Sequence, residues 1–227
     1  MNKVPGCPLC QHEGASVKLE RRDPTFGLRK YFECQNCTLI FLHPGLRLNS
    51  TQEKQRYDTH NNNPSDPDYL KFLRQLTEPL VKKIGEKTEG LDYGCGPGPA
   101  MDVLFKDQNV SVHHFDPFYF PDERLLKRKY DFITCSETVE HFYYPFAEFL
   151  KLQSMLKSGG ILAVMTQLYD PNSVFETWWY HRDPTHVCFY QVETFHWIAR
   201  KYRFAFEHPA KNIIFLSKKE EENAEKN

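Results

Sequence analysis

No apolar run in this sequence approaches the ~20 residues that a membrane-spanning helix needs, so no membrane association is expected. The opening Met1-Asn2-Lys3-Val4-Pro5 lacks the apolar stretch of a secretion signal. A charge excess is missing as well: 29 Lys and Arg stand against 30 Asp and Glu. A near-neutral chain has no general electrostatic grip on nucleic acid, although a local basic patch stays open. Cysteines 95, 135 and 188 have no partner spacing and sit in apolar surroundings, which predicts reduced, buried thiols and a cytoplasmic setting. At 227 residues the chain is long enough for one α/β core and a small appendage.

What is present begins with punctuation. Cys7-Pro8-Leu9-Cys10 is answered by Cys34-Gln35-Asn36-Cys37, with 23 residues between the two pairs. Each C-x-x-C makes a tight knuckle that aims two thiolates at one point. Two knuckles complete a tetrahedral sulfur site suited to a structural Zn2+. Val17 to Tyr31, charged and lying between them, reads as a hairpin whose fold depends on that metal. Its Arg21, Arg22, Arg29 and Lys30 are either a solvated face or contacts to RNA. The boundaries read as a ribbon over 1–45, a linker over 46–67, a main domain over 68–218 and a disordered charged tail over 219–227. Within the linker, Tyr57 and His60 are candidates for the mouth of a site, and 61–67 is turn-rich. Leu70, Leu73, Leu76, Leu80 and Ile84 predict a helix over Asp68–Lys87 packed beside the first main-domain strand.

The main domain turns on Leu91-Asp92-Tyr93-Gly94-Cys95-Gly96-Pro97-Gly98. An apolar lead-in ends in three glycines spaced two apart, where a backbone can turn sharply and let a ligand approach closely. Asp116, twenty residues beyond Gly96, follows a second apolar run and can accept hydrogen bonds from a ribose. Strands are expected at 91–94, 110–115, 130–135 and 160–166, with a short or irregular third strand near 124–127. An antiparallel pair at 203–208 and 212–218 closes the sheet. Helices are expected at 98–107, 145–156 and 192–202, the second burying Phe146, Phe149, Leu150, Leu152, Met155 and Leu156.

LDYGCGPG, the acid of FDP, YDFITCSETVEH and SGGILAV together resemble the class I S-adenosylmethionine-dependent methyltransferases, over about residues 68–218. The resemblance implies an α/β, Rossmann-like sheet of seven strands, the last antiparallel, carrying a small N-terminal zinc ribbon. It implies S-adenosylmethionine as cofactor, with Asp92, Gly94, Cys95, Gly96, Gly98, Asp116, Ser136 and Glu137 around it.

Glu137-Thr138-Val139-Glu140-His141 lies just past the fourth strand, at the carboxyl edge where open α/β sheets bind ligands. A helical segment there would put residues i, i+3 and i+4 on one face, a donor set for Mg2+, Mn2+ or Zn2+. The pattern resembles ubiquinone-biosynthesis O-methyltransferases and small-RNA 3′-terminal 2′-O-methyltransferases. Carried over, it implies Glu137, Glu140, His141 and His186 as ligands of a second divalent metal, Mg2+ or Mn2+. The alternative is a histidine that only packs the loop beside the cofactor.

Residues 176–190 supply further candidates: His186 or His181 as general base, with Asp183 orienting an imidazole. Tyr169, Trp178, Trp179 and Tyr180 are candidate walls for a substrate, against a reading in which Trp179, Phe189, Tyr190 and Trp197 are core. The Asn/Asp-Pro-Pro-Tyr/Phe motif of nucleobase amino-methylases is absent, and so is a Pro-Cys nucleophile for cytosine C5. Both absences favour O-methylation of a hydroxylated small molecule. RNA methylation, sugar methylation and a non-catalytic cofactor-binding partner protein remain open alternatives.

Overall fold

The computed structural model describes residues 4–59 and 62–220. His60, named above as a mouth residue, lies outside them, as does most of the charged tail. No described helix is long and apolar enough to cross a membrane.

The chain opens with the hairpin β1 (Ala15–Asp23) and β2 (Gly27–Cys34), followed by β3 (Ile40–Leu42). Two helices come next, α1 (Ser50–Tyr57) and α2 (Pro67–Val81). Then follow β4 (Glu89–Tyr93), α3 (Met101–Phe105), β5 (Ser111–Phe115), β6 (Tyr130–Ser136), α4 (Pro145–Met155) and β7 (Leu156–Met165). A two-residue strand, β8 (Cys188–Phe189), precedes α5 (Val192–Lys201), β9 (Phe204–Ala210) and β10 (Ile213–Lys218).

The main sheet runs β5-β4-β6-β7-β10-β9. β4 is parallel to β5 and β6, β6 is parallel to β7, and β10 lies antiparallel to both its neighbours. The antiparallel last strand is as expected, but the sheet has six strands among the described residues, not seven. Residues 125–127 are a 3-10 turn. The stretch between Phe115 and Tyr130 is too short for a strand and two crossover connections. Burial follows the strand period: Ile133 and Leu162 face one apolar cluster, Phe132 and Ala163 the other.

Three helices differ from expectation. α1 fills part of the stretch read as linker. It has no apolar stripe to betray it, but Asn49 and Gln52 close a capping box at its start. α2 stops at Val81, short of Lys87, and Lys87 adopts a positive φ. Its Leu73, Leu76 and Leu80 pack with Phe132, Ala163 and Phe215, hence over β6, β7 and β10, while Tyr69 and Leu73 face the cavity at the end of β4. On α4, Leu150 is 50 % exposed while Pro145, Phe149, Leu152 and Met155 make the buried stripe.

The ribbon does not stand apart. β3 pairs with β8, so the small sheet is β1-β2-β3-β8 and its last strand comes from the main domain. Leu39, Ile40 and Phe41 belong to the same apolar cluster as Phe149, Leu162 and Phe195. Phe146 N–H donates to Pro8 O at 3.3 Å, and Gln191 Nε2 donates to Thr38 O at 2.7 Å, which fastens each knuckle to a helix start.

Gly90 in β4 is held by packing, since a Cβ there would lie 2.1 Å from the fully buried Phe132 ring. Gly90→Ala should lower stability by about 1–3 kcal/mol through overpacking. Urea unfolding of the two proteins checks this; equal midpoints would contradict it.

Candidate functional site

The glycine turn sits at the carboxyl end of β4, where two backbone positions exclude a side chain. Gly94 has φ +77° and a Cβ there would lie 2.2 Å from Thr138 Cγ2; Gly96 has φ +65°. Asp116 at the tip of β5 closes over the turn. Its carboxylate accepts from Gly96 N–H at 3.1 Å, Phe118 N–H at 2.8 Å and Tyr119 N–H at 3.1 Å. Asp92 is buried and accepts from Thr134 Oγ1 at 2.9 Å. Asp92, Gly94, Cys95, Gly96, Asp116, Ser136 and Glu137 all line one cavity of about 990 Å³. Gly98 does something else. The chain before α2 lies on it, and a Cβ would fall 1.6 Å from Asn62 O.

The far wall of the cavity is the candidate metal centre. Glu137 takes a positive φ of 48°, and a 3-10 turn over Val139–His141 follows, so the segment is not the α-helix considered from sequence. Glu140, His141 and His186 nonetheless each bring a ligand atom within 4.8 Å of the others. His141 Nδ1–H donates to Thr185 O at 3.1 Å, and His186 Nδ1–H donates to Tyr180 O at 2.8 Å. A carbonyl can only accept, so both rings carry a proton on Nδ1. Glu140 is fully buried and accepts from Thr166 Oγ1 at 2.9 Å and from the Tyr180 hydroxyl. Glu137 lies outside the converging three. Its Oε2 accepts from Tyr180 OH at 3.0 Å, while its buried Oε1 has no partner. Burial pushes the Glu137 and Glu140 carboxyls up to about 7, the second helped by the charge of the first. Burial, reinforced by His186, pushes His141 down to about 4.

The other candidates divide. Asp183 is half-buried at the cavity and accepts from Arg56 Nε at 3.0 Å and Nη2 at 2.7 Å. Burial alone would raise its carboxyl, but the nearby His186 ring and the Arg56 guanidinium hold it well below the usual carboxylate range. His181 does not reach the cavity. Its ring stacks on Phe175 at 4.9 Å beneath the insertion, and burial and then Arg21 push it down to about 4. Tyr180 and the 60 % exposed Trp179 line the cavity, whereas Tyr169 and Trp178 pack against Phe175. Thus Trp179 is not core, while Phe189 and Tyr190 are.

Two contributors escaped the sequence reading. Arg56 lies on the unforeseen α1 and Asp58 caps its C-terminal end. Arg56 ties it to Asp183, and Asp58 accepts from Tyr119 OH at 2.6 Å, so the helix bridges both sides of the mouth. The capping box at Asn49 was the available signal.

The four cysteines form the second convergent group. Cys7 and Cys37 Sγ are 3.5 Å apart and Cys10 and Cys34 Sγ 3.4 Å, far too long for disulfides. Tetrahedral zinc thiolates with bonds of about 2.3 Å stand at nearly that sulfur spacing. The knuckles repeat one backbone form: Gln11 N–H donates to Cys7 O and Thr38 N–H to Cys34 O, with Gln11 and Thr38 both at positive φ.

A sequence profile of the methyltransferase domain matches residues 66–208, well over half of the chain. The chain belongs to the methyltransferase-domain family. Its fold is that of the class I methyltransferases. Among solved structures, an O-methyltransferase family protein from Burkholderia thailandensis matches with TM-score 0.51 at 12 % identity, over 69 % of this chain and 59 % of that one. The methyltransferase thus spans about three fifths of that structure's length. A protein described as a methyltransferase from Bacillus halodurans matches with TM-score 0.47 at 22 % identity, over 60 % of this chain and 67 % of that one. Phosphoethanolamine N-methyltransferase 2 from Haemonchus contortus, solved with S-adenosylmethionine, matches with TM-score 0.49 at 15 % identity, over 70 % of this chain and 44 % of that one. Of these only the Burkholderia match exceeds a TM-score of 0.5, and at 12 % identity it speaks for the fold alone. No curated protein matches the sequence.

Gly98→Ala should push the chain before α2 off the glycine turn. Amide exchange at Asn63–Asp66 of this methyltransferase should quicken by about tenfold or more as local protection is lost; unchanged exchange would show that Asn62 does not rest on Gly98.

Proposed function

We propose that the protein methylates a hydroxyl oxygen of a small molecule, assisted by a divalent metal held by Glu140, His141 and His186. One observation carries this reading. Each imidazole spends its Nδ1–H on a backbone carbonyl, which fixes the ring beside a buried carboxylate. That is how proteins fix histidines for a metal, with outer hydrogen bonds setting tautomer and ring direction. Glu137 lies outside the three, but its buried Oε1 has no hydrogen-bond partner among the described residues and could turn to add a second oxygen, a donor set that fits Mg2+ or Mn2+. Such an ion, when bound, lowers the pKa of a coordinated hydroxyl and makes it nucleophilic at neutral pH.

The cofactor fits the opposite wall. The two positive-φ glycines leave room where side chains would stand, and Asp116 is oriented by three backbone N–H groups to meet a ribose. S-Adenosylmethionine supplies the electrophilic methyl group. The protein's own work is positional: Asp92 and the glycine turn on one side, Glu137, Glu140 and the two histidines on the other, hold donor and acceptor in one cavity. Structural zinc in the four-cysteine group completes the assignment.

Two alternatives lose ground. Of the four basic residues that RNA contact would use, Arg29 is 2 % exposed, Lys30 pairs with Glu20 at 2.7 Å and Arg21 with Asp23 at 3.4 Å, which leaves the exposed Arg22. A non-catalytic partner would leave the four metal-site candidates scattered, whereas three of them converge.

Elemental analysis and calorimetry test the reading together. Wild type should carry about one zinc per chain and bind added Mn2+, and Mn2+ affinity should fall by about 10- to 100-fold in His186→Ala with the zinc retained. Asp116→Ala should weaken S-adenosylmethionine about tenfold or more, as charge-assisted hydrogen bonds are lost. Mn2+ uptake indifferent to His186 would remove the metal, and full cofactor affinity in Asp116→Ala would remove the ribose contact.

A further inference from the structure

The ribbon reaches further into the active site than a zinc-stapled appendage needs to. Arg29 and Tyr31 alternate on one face of β2, two residues apart, and both point at the insertion that carries His186. Arg29 Nη2 donates to Pro184 O at 2.9 Å and Nη1 to Leu46 O at 3.1 Å, with the Tyr31 hydroxyl 3.5 Å from Nε. Tyr31 OH donates to His181 O at 3.1 Å, and its ring packs edge-on against Phe175 and Phe189. His181 directly follows Tyr180, whose carbonyl holds His186 Nδ1, and Pro184 directly precedes Thr185, whose carbonyl holds His141 Nδ1.

None of the Arg29 acceptors is a carboxylate. A guanidinium at 2 % exposure with no carboxylate in ion-pair contact among the described residues is costly, even with Asp23 near enough to feel its charge. A hairpin merely docked on the core has no need of it, since an apolar side chain would fill the space. What the guanidinium does is orient carbonyls. Its fork fixes the backbone between the segment leading into α1 and the Asp183–His186 turn, two residues before an imidazole of the metal cluster.

We propose that Arg29 is a positioning residue of the active centre: from the ribbon it sets the 180–186 backbone, and through the Tyr180 and Thr185 carbonyls it sets the Nε2 atoms of His186 and His141. The four-cysteine site is on this view a foundation of the catalytic wall. The proposal rests on the metal-assisted reading for its consequence, but its geometry stands without it.

Arg29→Met keeps the stem and removes every donor. In this variant Mn2+ affinity should fall by about 10-fold or more, while S-adenosylmethionine affinity stays within about twofold and zinc remains near one per chain. In ring-15N spectra the slowly exchanging Nδ1–H of His186 should disappear, and Arg29→Lys, which restores one donor, should recover part of it. Wild-type Mn2+ affinity and wild-type histidine spectra in Arg29→Met would overturn the proposal. So would a uniform loss of Mn2+, cofactor and zinc, which marks a merely structural role. Should wild type itself take up no Mn2+, the metal-assisted reading fails and the ring spectra alone decide for or against Arg29. If Arg29→Met does not fold, Tyr31→Phe removes only the hydroxyl that holds His181 O; the same spectral change on a smaller scale is expected, and its absence contradicts the coupling.

Discussion

Two backbone hydrogen bonds at Val187 carry the arrangement of this enzyme. Its N–H donates to Glu140 O and its carbonyl accepts from Leu42 N–H, each at 2.9 Å, with the residue fully buried. Leaving either group unpaired in that setting would cost about 1–3 kcal/mol. The bonds join three parts of the chain that are distant in sequence: the ribbon's β3, the turn after β6, and the insertion that ends in β8. His186 precedes Val187 directly, so the imidazole is set by a strand edge and not by a free loop. Site geometry held on strand pairing in this way is tighter than geometry held on loops alone.

The two walls of the cavity are built by different physics. On the cofactor side, small residues and oriented amides make a concave, charge-ready surface: glycines at positive φ and an aspartate held by three N–H groups. On the acceptor side, buried Glu140 and His186 and half-buried Glu137 and His141 are held by tyrosine, threonine and backbone partners. Burial there favours neutral carboxyls at Glu137 and Glu140 and a neutral imidazole at His141. The helix α1 then spans the mouth through Arg56 and Asp58, so entry to the cavity passes beside one polar helix.

Much of this was legible in the sequence because it is written in local signals. The glycine turn, the acid twenty residues on, the paired knuckles and the period-2 strands each carry their meaning within a few residues. Buried Cys135 and Cys188 and the hairpin between the knuckles were equally readable. What was not readable depended on partners far away. α1 lacks an apolar stripe because it lies against polar groups at the mouth. The missing third strand follows from a short connection whose length was visible but whose consequence was not. Arg29 looked like one charge in a solvated hairpin, and only the β3–β8 pairing shows why it is buried. The separation of His181 from His186 is likewise a matter of tertiary direction. Five residues apart in one polar insertion, the two rings turn to opposite sides of it, one under Phe175 and one into the cavity.

The central claim is that Glu140, His141 and His186 of this methyltransferase form a metal centre facing the cofactor. Its most direct test is a crystal of the protein with S-adenosylhomocysteine and Mn2+, with anomalous data collected at the manganese edge. The account predicts one anomalous peak among Glu140 and the Nε2 atoms of His141 and His186, with Glu137 turned toward it, and a second site of zinc at the four cysteines. Zinc at the cysteines with no manganese among those three residues, in a crystal where the cofactor product is seated on Asp116, would contradict it.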